Sequence, residues 1–288
     1  MIDLHTHTTA SDGTLALDEL VREAERAGLG AIAITDHDNI RSAARIAGTI
    51  STVRLIPGIE LTVYDEGLKY SDIHVLGLFI DAKNKNLNEK LEALGREREE
   101  QKIATVEKLR ELGYDITFDE VKKEAKGVVG RPHIAKVLLR KHPDEFDSIS
   151  AVFVKLLGRG KKAYLERKDK LCLKDAVSLI HGAGGVAVLA HPDVYGYPPE
   201  KLLADFKAAG GDGVEVYYDY LRNRPEVKIT EAENKKIIEK YQKLAAETGL
   251  LESGGSDFHG ETKGQRLGEF GAPDEILKKL EAARRKPL

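Results

Sequence analysis

Nine residues of the types that bind metal ions follow short apolar segments along this chain. They are His5, His7, Asp12, His37, Glu60, His74, His191, Asp257 and His259. Imidazole and carboxylate groups are the usual ligands of borderline and hard divalent cations. Six of the nine histidines in the sequence belong to this set. Such regular placement predicts a multinuclear metal site built at the ends of several strands.

The apolar segments alternate with patterns typical of amphipathic helices. Strands are predicted at 2–5, 31–35, 73–80, 186–190, 213–218 and 250–255, and an extended run over 53–63 is broken at Pro57-Gly58. Alternating strands and helices predict an α/β fold with a parallel sheet and right-handed crossovers. Six or seven such units would close into a barrel, whose sites lie at the carboxyl ends of the strands.

The alternation stops between residues 83 and 170, where helical patterns occur without a convincing strand. We therefore predict a barrel formed by 1–82 and 171–288, with 83–170 as an inserted helical domain. Thr117 and Glu120 have the spacing of a capping box that opens one of its helices. The insert has a net charge of +6 and the rest of the chain −9. A solvated helical surface and a cationic lid over an anionic ligand both agree with this asymmetry.

Bulk properties exclude several classes of protein. The net charge of −3 gives no global basic field of the kind that binds nucleic acid. Cys172 is the only cysteine, so the chain has no internal disulfide and no thiolate zinc site. The N-terminus lacks the apolar region of a signal peptide, and no apolar run approaches the ~20 residues that cross a bilayer. We expect a cytoplasmic protein that acts without a membrane or an obligate protein partner.

The spacing of the candidate ligands indicates how they could share ions. His5 and His7 are two residues apart on an extended segment, so both rings point to the same side. Asp12 stands in a Ser-Asp-Gly turn, where Gly13 allows a sharp bend. Glu60 is the candidate bridging ligand, because a carboxylate can bind two cations and an imidazole cannot. His74, taken alone within an apolar strand, is also compatible with a structural histidine.

Six segments together resemble one known family. MIDLHTHTTASDG, AIAITDHDN, IPGIE, IHVLGL, VAVLAHP and GGSDFHG match, in order, the motifs of the PHP (polymerase and histidinol phosphatase) family. The resemblance covers nearly the whole chain. It implies a distorted (β/α)7 barrel, similar to a TIM barrel, with a trinuclear metal centre.

The resemblance also implies an assignment of ligands to three divalent ions. The first ion would be bound by His5, His7, Glu60 and Asp257, the second by Glu60, His74 and His191, and the third by Asp12, His37 and His259. Some relatives carry a histidine where this chain has Asp12, a difference that bears on metal preference. Manganese is the expected ion, with zinc or iron as alternatives, because mixed nitrogen and oxygen ligands suit all three.

The insert resembles that of one subgroup, which carries a Gly-Arg-Pro-His motif. Here it is Gly130-Arg131-Pro132-His133. Members of the subgroup are phosphatases of nucleoside monophosphates and 3′,5′-bisphosphates, and some trim RNA from its 5′ end. The resemblance implies that Arg131 and His133 contact phosphate. An imidazole can also donate a proton, so either His133 or a metal-bound water is the expected proton donor to the leaving oxygen. Without the resemblance, Arg-Pro-His would be an ordinary helix start, since proline is favoured in the first turn.

The leading hypothesis is a metal-dependent phosphoesterase that hydrolyses phosphate monoesters of nucleotides and, as a further activity, shortens RNA from the 5′ end. One alternative is a histidinol-phosphate phosphatase, which gives no reason for the Gly-Arg-Pro-His insert. Another is a non-catalytic, metal-stabilised module of the kind attached to some DNA polymerases. The complete ligand set, with no polymerase sequence following it, favours an enzyme.

Overall fold

A computed structural model describes residues 1–125, 129–166, 170–224, 227–260 and 265–288. The seven strands β1 to β7 are Ile2–Thr6, Ala31–Ile34, Arg54–Asp65, Tyr70–Leu78, Val186–Leu189, Gly213–Tyr218 and Leu251–Gly255. The helices α1 to α11 are Leu17–Arg26, Arg41–Arg45, Lys85–Glu111, Phe118–Glu124, Arg131–Lys141, Ile149–Val152, Leu173–Gly182, Pro199–Ala208, Tyr220–Asn223, Glu231–Thr248 and Glu275–Ala282.

The seven strands form one sheet in which spatial order equals chain order. Strand β7 also lies beside β1, and the main chain is hydrogen-bonded across this junction from Asp257 N to His5 O (2.9 Å) and from His7 N to Phe258 O (2.9 Å). The sheet is therefore a nearly closed barrel surrounded by helices. The predicted α/β class and distorted (β/α)7 barrel are confirmed.

The sheet is mixed, and the expectation of an all-parallel sheet was wrong. β4 runs antiparallel to both β3 and β5, whereas the other neighbouring strands are parallel. The predicted break at Pro57-Gly58 was also wrong, because β3 continues through both residues. Pro57 lies where the pairing of β3 with β2 ends and its pairing with β4 begins. A missing N–H is tolerated at such a point.

Side-chain alternation divides the residues of β2 between two cores. Ala31 and Ala33 belong to a cluster made mainly of strand residues from around the barrel. Ile32 and Ile34 pack instead with apolar residues of α1. Successive residues of a strand point to opposite faces, and all four positions are fully buried. A strand buried on both faces explains why this segment contains no polar residue.

The chain divides into two compact units. The first comprises Met1–Leu91 and Leu171–Leu288, and the second Glu92–Lys170. The boundary lies inside α3 rather than before it, because the start of this helix belongs to the barrel unit: Leu87 is fully buried, and its N–H donates to Asn84. The second unit has its own apolar core, contributed by segments between Val106 and Ala163. It contains only helices and loops among its described residues.

Local sequence signals account for individual helices of both units. Thr117 and Glu120 form the predicted reciprocal capping box at the start of α4. Thr230 and Glu233 form a second box at the start of α10, and Gly249 ends that helix with a left-handed backbone (φ 63°). Within the described residues, no helix has the length and apolarity needed to cross a membrane.

Removal of one core side chain tests the packing of the second unit, Glu92–Lys170, called the helical unit below. Leu138 is fully buried, and we expect Leu138→Ala to lower the free energy of unfolding by about 2–5 kcal/mol through lost burial and a residual cavity. Urea unfolding of the full chain measures the change. Lys136→Ala, at an exposed position of the same helix, is the matched control. Equal unfolding midpoints for the two variants would contradict the core described above.

Candidate metal centre

All nine predicted ligands meet at one place in the barrel unit. They come from β1 and the loop after it, from the loop after β2, from β3 and β4, and from the loops after β5 and β7. Their ligand atoms form overlapping groups: His7, Asp12, His37 and His259; His5, His191 and Asp257; His5, His7 and Glu60; and His37, Glu60 and His74. Within each group the atoms lie within 4.8 Å of one another. Each of these groups could hold a metal ion.

Glu60 is at the centre of the cluster. Its side chain is fully buried, and five imidazole nitrogens surround its two carboxylate oxygens. The distances to Oε2 are 3.3 Å from His5 Nε2, 3.3 Å from His7 Nε2 and 2.9 Å from His37 Nδ1, and those to Oε1 are 2.9 Å from His74 Nδ1 and 3.1 Å from His191 Nε2. Three imidazole nitrogens thus approach one oxygen of Glu60, and two approach the other.

The two aspartates extend the cluster on either side. Asp257 Oδ1 lies 3.3 Å from His5 Nε2 and 3.1 Å from His7 Nε2. Asp12 Oδ1 lies 3.3 Å from His259 Nε2. The side chain of Asp12 is 48 % exposed and that of Asp257 11 %, so Asp12 is the ligand candidate most accessible to solvent.

Buried atoms at the centre have no partner for the hydrogen bonds that they could make. Among the described residues, His5 Nε2, His7 Nε2 and Glu60 Oε2 are buried, and none of the atoms close to them lies at the angle that a hydrogen bond requires. Buried polar atoms are nearly always satisfied, so three that converge on one point call for an explanation. Divalent ions bound by these atoms would satisfy them. The donor set therefore fits a metal centre.

The electrostatics of the cluster favour positive charge. Burial lowers the pKa of His5. The negative charges of Glu215, Glu60 and Asp257 raise it by more, so the pKa of His5 lies well above its usual value. Burial raises the pKa of Glu60, yet His37 and His5 hold it well below its usual range. Protons and divalent cations compete for the same nitrogens, so metal affinity is expected to increase as pH rises.

Residues outside the predicted set hold the ligands in position. Glu215 of β6 contacts the ring of His5, and Tyr218 donates a hydrogen bond to Asp257 Oδ2 (2.8 Å). Asp3 accepts hydrogen bonds from Ser256 Oγ (2.5 Å) and N (3.0 Å), which ties the start of β1 to the end of β7. A charged residue inside an otherwise apolar strand, such as Glu215 in GVEVYY, was the available sequence signal.

The two aspartates that flank His37 hold main-chain segments. Asp36 accepts hydrogen bonds from Thr8 N (2.8 Å) and Ser11 Oγ (2.7 Å), and so fixes the loop after β1. Asp38 accepts from Thr62 N (2.9 Å) on β3. The two carboxylates therefore hold the loop after β1 and strand β3 in place near His37.

Glycine permits close approach of the backbone at two points of the site. A Cβ on Gly13 would lie 2.4 Å from His7 O, which explains the sharp bend after Asp12. A Cβ on Gly255 would lie 2.5 Å from His5 N. The backbone is strained directly at two candidate ligands, since His191 (φ 27°) and Asp257 (φ 55°) have positive φ angles. Such strain is common at functional sites.

Arg131 and His133 lie in the helical unit, at the start of α5. The Arg131 guanidinium lies 5.8 Å from the centre of the Phe153 ring and 5.5 Å from that of Tyr164, and it donates to Leu157 O (3.4 Å). His133 Nδ1 accepts a hydrogen bond from Gly130 N (2.9 Å). In neutral His133 the ring proton is therefore on Nε2.

A methyl group at position 255 tests the junction of β1 and β7. We expect Gly255→Ala to destabilise the protein by about 1–3 kcal/mol, because the new Cβ overlaps the main chain of His5. Thermal unfolding measures the loss. Gly182→Ala is the control, since a Cβ there meets nothing within 4 Å. A Gly255→Ala protein as stable as this control would refute the tight contact.

Comparison with known proteins agrees with this geometry. The family model of the PHP domain matches residues 3–253. A 5′-3′ exoribonuclease of Haemophilus influenzae is 34 % identical over 262 residues, covering 89 % of this chain and 89 % of that protein. A 3′,5′-nucleoside bisphosphate phosphatase of Chromobacterium violaceum is 30 % identical over 272 residues, covering 92 % and 89 %.

A solved structure is also similar along nearly the whole chain. It is described as a metal-dependent phosphoesterase from Bifidobacterium adolescentis, with a TM-score of 0.75 and 27 % identity, and the match covers 98 % of this chain and 95 % of that one. The family model spans most of the sequence, and two relatives of at least 30 % identity match almost end to end. The chain therefore belongs to the PHP domain family.

Proposed function

We propose that this protein is a metal-dependent phosphoesterase that hydrolyses phosphate monoesters of nucleotides. The observation that carries the proposal is the buried Glu60 carboxylate with five imidazole nitrogens within 3.3 Å. Such a donor set suits several divalent ions at once. The similarity to an exoribonuclease, a bisphosphate phosphatase and a metal-dependent phosphoesterase supports the same class of reaction.

The proposed centre contains three ions. The first ion would be held by His5, His7, Glu60 and Asp257, the second by Glu60, His74 and His191, and the third by Asp12, His37 and His259. The proximity of His5, His7 and Glu60, and that of Asp12, His37 and His259, support the first and third sets. For the second set, His74 Nδ1 and His191 Nε2 lie 2.9 Å and 3.1 Å from the same Glu60 oxygen. Manganese is the proposed ion, and zinc or iron would suit the same ligands.

The proposed reaction transfers a phosphoryl group from the substrate oxygen to water, giving an alcohol and phosphate. The bound ions would supply Lewis acidity and lower the pKa of water from about 15.7 toward about 7. Glu60 and Asp257 offset the charge of these ions in a buried setting. Arg131 offers phosphate a forked, permanently charged donor, and neighbouring aromatic rings restrict its movement. His133 is the proposed donor of the Nε2 proton to the leaving oxygen.

The proposed substrates are nucleoside monophosphates and 3′,5′-bisphosphates, with trimming of RNA from the 5′ end as a further activity. The similarity to the 5′-3′ exoribonuclease of Haemophilus influenzae supports the trimming of RNA, and that to the 3′,5′-nucleoside bisphosphate phosphatase of Chromobacterium violaceum supports the bisphosphates. The positive net charge of residues 83–170 supports an anionic substrate.

Loss of a ligand tests the metal centre. We expect His5→Ala and Asp257→Ala to lose bound metal and to reduce kcat/KM by at least ~10³-fold, because positioning and charge stabilisation depend on the ions. Metal content by mass spectrometry and hydrolysis of an aryl phosphate with added manganese measure both effects. His181→Ala, whose ring pairs with Asp212 (2.8 Å), is the control. Full metal content and activity in both ligand variants would exclude the assignment.

Loss of Arg131 tests the phosphate contact. We expect Arg131→Ala to retain its metal and to raise KM for a nucleotide about tenfold or more, since a charge-assisted, forked hydrogen bond is removed. Arg131→Lys keeps the charge but loses the forked geometry, so its KM should lie between those of the wild type and Arg131→Ala. Arg140→Ala, on the same helix and paired with Glu124, is the matched control. An unchanged KM in Arg131→Ala would remove Arg131 from the site.

A substrate panel separates the proposed activity from its alternatives. Purified protein with manganese is expected to release phosphate from nucleoside monophosphates and 3′,5′-bisphosphates at least ~10-fold faster, in kcat/KM, than from histidinol phosphate, because histidinol phosphate carries an ammonium group that the positively charged residues 83–170 would repel. Short 5′-phosphorylated RNAs complete the panel. Preference for histidinol phosphate would favour the alternative enzyme, and inactivity on all substrates would favour a non-catalytic module.

A further inference from the structure

Glu215 is a buried carboxylate that the proposed reaction does not use. It lies on β6, its side chain is fully buried, and no lysine or arginine pairs with it among the described residues. Removing a carboxylate from water without a basic partner costs free energy. Glu215 therefore requires compensation from groups of the site itself.

Two N–H groups supply that compensation, and both belong to proposed metal ligands. The Glu215 oxygens lie 3.1 Å and 3.3 Å from His5 Nδ1. The main-chain N–H of His191 donates to Glu215 Oε2 (2.8 Å). His5 is proposed for the first ion and His191 for the second. One carboxylate thus contacts a ligand of each of two neighbouring ions.

The geometry makes Glu215 a support for ligands and not a ligand itself. It contacts Nδ1 of His5, whereas Nε2 of the same ring faces Glu60 Oε2 and Asp257 Oδ1, both at 3.3 Å. These nitrogens lie on opposite sides of the imidazole. A hydrogen bond from Nδ1–H to Glu215 places the lone pair on Nε2, on the side where the ligand atoms converge.

The backbone is irregular both at His191 and in β6 next to Glu215. His191 has a positive φ (27°), which is strained for a residue other than glycine, and its N–H is fixed by Glu215. Strand β6 carries an extra residue between Glu215 and Tyr217 relative to β7. This bulge allows both Glu215 and Tyr218 to contact site residues, although a regular strand would direct them to opposite faces.

We propose that Glu215 is a positioning residue that sets the tautomer of His5 and the backbone of His191, and so couples the binding of two ions. This inference rests on the proposed metal centre. Loss of a carboxylate that orients a metal-binding histidine typically lowers metal affinity about 10–100-fold.

The test is Glu215→Gln in the full chain, prepared free of metal and titrated with Mn²⁺ by calorimetry. Glutamine keeps the shape but has one acceptor oxygen for two N–H donors, so its amide group must face one of them. We expect Mn²⁺ affinity to fall about 10–100-fold. The metal-free variant should unfold at a lower temperature, because a buried N–H group loses its acceptor. The rise in unfolding temperature on adding Mn²⁺ should shrink as well.

Glu215→Asp provides the second variant and carries the test if the glutamine variant does not fold. Aspartate keeps the charge but is one methylene shorter, so it cannot reach both His5 and His191, and weaker Mn²⁺ binding is expected again. Glu252→Gln is the matched control. Glu252 lies on the neighbouring strand β7 and accepts a hydrogen bond from Tyr217, which is not a proposed metal ligand. It should bind Mn²⁺ as the wild type does.

Three outcomes would overturn the inference, and they differ from one another. Wild-type affinity in Glu215→Gln would show that Glu215 has no influence on the ions. Wild-type affinity in Glu215→Asp together with loss in Glu215→Gln would show an effect of charge and not of position. A wild-type protein that binds no Mn²⁺, zinc or iron would overturn the metal centre itself, and the role of Glu215 with it.

Discussion

The burial of Glu60 is the constraint on which the rest of the site depends. A carboxylate that is excluded from solvent needs a positive charge nearby. No lysine or arginine within the described ranges supplies that charge to Glu60. The nearest groups are imidazoles, whose nitrogens lie around both of its oxygens. Imidazoles can carry protons or bind cations, so this environment is stable when it holds positive charge. A centre for several divalent ions would satisfy that requirement.

The barrel brings these groups together from distant parts of the chain. Closure of β7 against β1 places Asp257 beside His5, and the antiparallel hairpin of β3 and β4 places His74 beside Glu60. In that hairpin Glu60 pairs with Leu76, so His74 is a diagonal neighbour on the same face. Their 2.9 Å contact follows from this register. A shift of one residue would turn His74 to the opposite face.

Support for the ligands is distributed over residues that have no direct chemical role. Asp3, Asp36 and Tyr218 are buried, and each holds a loop or a side chain of the site through short hydrogen bonds. Glu215 adds a contact to two ligands at once. Ligands on loops after strands would otherwise move with those loops, and a metal centre requires fixed distances.

From the sequence we predicted an α/β barrel, a helical insert over 83–170 and nine candidate metal ligands; the structure confirms the barrel and brings the nine side chains together. Periodicity, caps such as Thr117 with Glu120, and polar residues after apolar runs are local signals, and each depends on neighbouring residues only. Only the three-dimensional structure shows that β4 is antiparallel, that β3 continues through Pro57, and that Glu215 faces His5. The direction of β4, the change of pairing of β3 from β2 to β4, and the bulge in β6 all depend on pairing between segments far apart in the chain. Local sequence patterns do not predict that pairing.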